Sequence, residues 1–146
     1  MGFSKRQDLL DDVRRRVAGC ARFIDAPKDY LPTFGASEGG ARPHVEVDGP
    51  LFHYVIVERG EELVRETFGE VEELLARIFR DVTFQMASHF EVRNRRPNED
   101  SRRLLFAKQL ELLGVLSLAW AEQQRALLNR VLSEHPFCDA HPERAV

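Results

Sequence analysis

The chain has 146 residues, of which 43% are hydrophobic and 31% charged, a balance that fits one globular domain over residues 1–146 and excludes disorder as the default. Its formal charge of -3 argues against non-specific attachment to nucleic acid, although a local basic patch stays open. No run of about 18 apolar residues exists, and the opening MGFSKRQDLL lacks the apolar stretch of a signal peptide, so a cytoplasmic protein without membrane contact is expected. Met1-Gly2 does not open a myristoylation site, because Arg6 stands where Ser or Thr is required. Cys20 and Cys138 lie near opposite ends, and a cytoplasmic setting predicts that both are reduced.

The first predicted element is a helix from about Ser4 to Ile24. Ser4 and Gln7 have capping-box spacing, and Leu10, Val13, Val17, Cys20, Ala21 and Ile24 form one apolar stripe. Residues Ala26 to Pro43 carry three prolines and three glycines with neither helical nor strand period, which predicts an irregular loop pinned by Tyr30, Leu31 and Phe34. His44 to Val47 alternates polar and apolar, and Asp48-Gly49-Pro50 is a turn signal. Leu51, Phe52, Tyr54, Val55, Ile56 and Val57 are apolar on both alternation phases, which predicts a central strand covered on both faces. Gly60 takes a positive φ freely and Arg59 does not, which favours a three-residue loop over a two-residue turn before a return strand Glu61 to Glu66.

Thr67 and Glu70 form a second capping box. Behind it Val71, Leu74, Leu75, Ile78, Phe79, Val82, Met86 and Phe90 keep helical spacing, and this helix is expected to cover the sheet. The stretch Arg93 to Asp100 breaks it, with Pro97 as the stop. A third helix runs from about Ser101 to Leu113, burying Leu105, Phe106, Leu110 and Leu113 and ending at Gly114. Ser117 caps a fourth, carrying Trp120, Leu127, Leu128, Val131 and Leu132 and stopping before His135-Pro136. The expected fold class is therefore α+β: a three-stranded antiparallel β-meander packed with about four α-helices.

No catalytic constellation stands out. His135, Cys138 and His141 are acceptable zinc ligands, but a structural site needs four and no partner pair exists elsewhere, so a surface tail is the reading and no metal or cofactor is expected. His44 and His53 sit on adjacent strands and could meet in a cleft as a hydrolase would require; a half-buried pair on a sheet is the plainer reading. His89 and Glu91 are two apart and do not share a helix face. Cys20 falls on the apolar stripe as a small hydrophobe. Phosphate-binding glycine loops and the nucleophile-elbow pattern are absent from the sequence.

Charge segregates along the chain. From Glu58 to Glu73 seven glutamates face only Arg59 and Arg65, whereas from Glu91 to Lys108 six basic residues (Arg93, Arg95, Arg96, Arg102, Arg103, Lys108) face Glu91, Glu99 and Asp100. Two readings stay open: solvated faces that pair with each other, or an acidic hairpin that meets a basic partner such as a cleft built for nucleic acid. The basic segment could instead hold RNA, but no aromatics for base stacking are interleaved with it.

The stretch Tyr54-Val-Ile-Val-Glu-Arg59-Gly60, followed by RNRRPNEDSRRLLFAKQLELLG, Trp120 and His135-Pro136-Phe137, resembles the immunity protein 63 family of bacterial polymorphic toxin systems. The resemblance covers roughly His44 to Phe137, with Tyr54, Arg59 and Gly60 as motif positions; the helix and loop of residues 1–43 fall outside it. It implies a non-enzymatic cytoplasmic antidote that binds and blocks a cognate toxin. For such a partner the expected contact residues are Tyr54, Glu58, Arg59, Glu61, Glu62 and Glu66. The alternative is a small RNA-binding or regulatory module that uses residues 93–108.

Overall fold

The computed structural model describes residues 2–37 and 39–139. Its elements run α1 (Phe3–Phe23), one 3-10 turn (Lys28–Tyr30), β1 (Thr33–Phe34), β2 (His44–Asp48), β3 (Leu51–Glu58), β4 (Glu61–Phe68), α2 (Val71–Arg93), α3 (Ser101–Leu116) and α4 (Leu118–Glu134). They fall into two compact units, Met1–Phe79 and Arg80–Val146, with the boundary inside α2. No helix among the described residues is long and apolar enough to cross a membrane.

In the first unit α1 buries Leu10, Val13, Val17, Ala21 and Ile24, the stripe its spacing predicts. The predicted capping box does not form. Gly2 takes the cap position in an extended conformation, which carries the helix past Ser4, and Gln7 donates instead to Asp11 Oδ1 at 3.1 Å. Cys20 is half-buried on this helix, and burial pushes its thiol up from the ordinary value.

The sheet has four strands in the order β1-β2-β3-β4 and is mixed, which corrects the expected three-stranded antiparallel meander. The additional strand is Thr33–Phe34, parallel to β2 and bonded through Thr33 N–H to the Pro43 carbonyl and Gly35 N–H to the Val45 carbonyl. Two residues between Pro32 and Gly35 are too few to show a period, so they read as loop. Arg42 ties the same segment down by donating to the Leu31 and Lys28 carbonyls, and the Arg14 guanidinium lies 5.3 Å from the Phe34 ring centroid.

β3 is paired on both sides, and its adjacent residues Tyr54 and Val55 are 1% and 0% exposed, so both faces of the strand are covered at its middle. The β3–β4 connection departs from expectation. Glu58 pairs with Glu61 directly, leaving Arg59-Gly60 as a two-residue turn with φ of 53° and 78°, the signs of a type I′ turn. The extra residue sits further along. Ile56 pairs with Val64 and Val57 with Glu62, so Leu63 is a β-bulge. Its physical reason is facial: without it Tyr54 would face Arg65 and Phe52 would face Thr67, whereas the bulge brings Val64, Glu66 and Phe68 onto the face of Phe52, Tyr54 and Ile56.

β4 runs on to Phe68, so Thr67 is a strand residue and not a helix cap; its hydroxyl lies 2.8 Å from His53 Nδ1. The early turns of α2 pack on this sheet. Arg77 lays its guanidinium 4.5 Å from the Tyr54 ring centroid and donates to Glu66 Oε1 at 3.0 Å, while Leu74, Leu75, Ile78 and Phe79 are buried.

In the second unit α3 and α4 meet across a sharp corner. Gly114 does not end α3; the helix continues to Leu116 and stops at Ser117, whose backbone is extended and whose hydroxyl caps α4 by accepting from the Trp120 N–H at 3.3 Å. Glycine in a helix is a cost of about 1 kcal/mol, not a stop. Gln109, Gln124 and Thr83 are buried in this unit. Gln109 Nε2 donates to the Arg80 carbonyl at 3.0 Å and Gln124 Nε2 to Gln109 Oε1 at 3.2 Å, so the buried amides satisfy each other.

The residues after α4 return to the start of α3. Asp100 accepts from Arg102 Nη2 at 2.8 Å and from the Cys138 backbone N–H at 2.9 Å, Arg102 donates to the His135 and Pro136 carbonyls, and Arg103 pairs with Asp139. Phe137 lies under Arg103, whose guanidinium is 4.3 Å from its centroid.

Candidate functional site

The β3–β4 hairpin is the most exposed and most acidic part of the sheet. Glu58, Arg59, Gly60, Glu61, Glu62 and Leu63 are all exposed, and Glu58, Arg59, Glu61 and Leu63 line a shallow surface depression. Leu63, raised by the bulge, is a large apolar side chain left 55% exposed.

Two local arrangements at the tip work against stability. Glu58 and Glu61 face each other in the closing pair of the ladder, where like charges repel. Arg59 holds a left-handed backbone that costs a non-glycine residue about 1–2 kcal/mol. None of the three side chains has an ion-pair partner among the described residues.

The other expected contact residues are placed differently. Glu62 takes Arg65 at 2.6 Å, and that hydrogen bond holds its carboxyl below the usual range. Arg65 also reaches Glu46 at 3.0 Å, and Glu46 lies 2.9 Å from His44 Nε2, so these four side chains form one polar chain on the sheet face. Glu66 is taken up by Arg77. Tyr54 lies beneath Arg77 in the core, so its place in the motif has a structural cause. Leu63 was missing from the expected set. Two adjacent apolar residues, Leu63-Val64, in an otherwise alternating strand are the signal that marks it.

His44 is 4% exposed and its Nδ1 has no partner among the described residues, whereas His53 contacts Thr67 and lies 3.7 Å from Asp48. Their register partners are Val55 and Glu46, so the two imidazoles are not opposite one another and each is committed to its own neighbour. Of the tail residues, His135 is the last cap of α4 and Cys138 joins the Asp100 contact; His141 lies outside the described residues. Among the described residues no group of three His, Cys, Asp or Glu could hold a metal ion.

The basic segment is occupied by carboxylates near it. Arg95 makes a forked contact with buried Glu91, Arg96 lies 3.7 Å from Glu99, Arg102 and Arg103 hold Asp100 and Asp139, and Lys108 lies 3.5 Å from Glu111. Five of the six basic residues are thus paired with carboxylates of their own neighbourhood and not with the glutamates of residues 58–73, and among the described residues Glu58 and Glu61 at the hairpin tip have no ion-pair partner.

Comparison with known proteins adds one result. Residues 48–130 match the family described as Immunity protein 63, a span that covers β3, β4, α2, α3 and most of α4. The match takes in more than half of the chain, and the chain belongs to the immunity protein 63 family. Neither the curated proteins nor the solved structures contain a significant match.

Proposed function

We propose that this chain is a non-enzymatic immunity protein of a bacterial polymorphic toxin system, acting in the cytoplasm as one domain that neutralises a cognate toxin by stoichiometric binding. The contact is made through the β3–β4 hairpin, with Glu58, Arg59 and Glu61 at its centre and Glu62 and Glu66 on the flank. The target surface is basic, as is the cleft of a nuclease that holds nucleic acid.

The observation that supports this reading most strongly is the tip itself. A turn free to serve stability would place Asn-Gly between strands and would not oppose two carboxylates; here Arg59 stands at φ 53° between Glu58 and Glu61. Strain kept at an exposed site points to use of the side chains that cause it. A cationic partner removes the Glu58–Glu61 repulsion on binding, so the cost in the free protein becomes affinity in the complex.

Co-expression with the toxin domain encoded beside this gene tests the reading. Survival of the host and recovery of a one-to-one complex is the expected result. Cell death with no complex formed contradicts it.

A further inference from the structure

The edge of the sheet next to that tip is open. Among the described residues β4 pairs with β3 on one side only and ends the sheet. Which of its peptide groups face outward follows from bonds on the other side of β3. Val45 gives its carbonyl to Gly35 N–H on the β1 side, so the Val45 and Tyr54 pair is not hydrogen-bonded and the peptide groups of Tyr54 face β4. Ala41, on the chain leading into β2, donates to the Val57 carbonyl at 3.2 Å, which places the groups of Val57 on that same far side. By alternation those of Val55 and His53 also turn toward β2. Their partners across the hairpin, Glu62, Arg65 and Thr67, are therefore the residues of β4 that turn N–H and C=O to the free edge, and all three are exposed.

An edge of this kind is a template for a further strand, and natural sheets restrict it with charge and bulges. Both devices are present, in a form that selects a partner. A second copy of this chain would set Glu61, Glu62 and Glu66 of one β4 against the same residues of another, a like-charge arrangement. A cationic strand meets the unpaired carboxylates of Glu58 and Glu61 at the hairpin end, and an apolar side chain on it covers Leu63. We propose that the β4 edge accepts an extended basic segment of the toxin as an additional antiparallel or parallel strand, an inference that rests on the immunity reading and specifies its mode of contact. Backbone bonds to Glu62, Arg65 and Thr67 would supply the common affinity, and the hairpin carboxylates the choice of partner.

Amide hydrogen exchange, measured on the full chain alone and with the adjacent-gene toxin domain, tests this. In the complex the amides of Glu62, Arg65 and Thr67 should slow by about tenfold or more, whereas in the free protein they exchange as open edge groups. A stable complex in which these three amides exchange as in the free protein overturns the edge inference and leaves the antidote reading standing. Absence of any complex removes both. A self-associated free protein with the same amides already protected would assign the edge to a second copy and also overturn the proposal.

Discussion

Glu58, Arg59 and Glu61 show how single residues can be poorly chosen for the fold and still be explained. Replacing Arg59 by Asn supplies a residue that enters the left-handed region more readily. The free protein should gain about 0.5–1 kcal/mol in urea unfolding, while affinity for the toxin domain falls. Unchanged affinity would mean that the arginine side chain is not used. Tyr54 differs from its motif neighbours. Its ring is in the core under Arg77, so truncation there would act through stability, and loss of binding in such a variant would say nothing about the interface.

At the scale of elements, the basic break and the closing His135-Pro136-Phe137, two of the features that carry the family resemblance, are parts of one contact. Asp100 joins Arg102 and Cys138, and the Arg102 guanidinium together with the Cys138 N–H holds its carboxyl far below the usual carboxylate range. Its pKa is lower folded than unfolded, so the unfolded chain takes up the proton first. The stabilisation is complete above the unfolded value of about 4 and is lost as pH falls toward the folded value. Asp100→Asn should therefore lower the urea midpoint at pH 7 and flatten its decline below about pH 4, and an acid limb parallel to that of the parent would contradict this account.

Much of this level was legible in the sequence. The stripes of α1 and α2, the Ser117 cap and the two antiparallel pairings depend on local periodicity and capping, which a single chain displays. By contrast, α3 buries Gln109, Leu112 and Leu113 and leaves Leu105, Phe106 and Leu110 only half-buried. The rest depended on partners distant in sequence. Thr33–Phe34 becomes a strand because β2 offers it an edge, the bulge arises because Val64 and Phe68 must share a face with Tyr54, and Thr67 is drawn into β4 beside His53. For the candidate site, the acidic hairpin was visible as composition. Which of its glutamates stay free was not, since Arg77 is eleven residues from Glu66 and reaches it only through the fold.

For the whole molecule, the separation of charge along the chain has different meanings in its two parts. Residues 91–108 hold most of their positive charge in local pairs, so replacing Arg102 or Arg103 would disturb the tail contact before it reported on RNA. In the hairpin, reversing Glu62 or Glu66 would strand Arg65 or Arg77, so Glu58 and Glu61 are the cleaner probes. The most direct test is the affinity of the parent chain and of Glu58→Lys/Glu61→Lys for the adjacent-gene toxin domain, measured by calorimetry from about 50 to about 500 mM salt. The parent should weaken steadily with salt, and the double variant should bind at least about tenfold more weakly at low salt with a flatter dependence, without loss of thermal stability. Equal affinity and equal salt dependence for the two proteins would contradict the claim that the acidic hairpin is where this immunity protein meets its toxin.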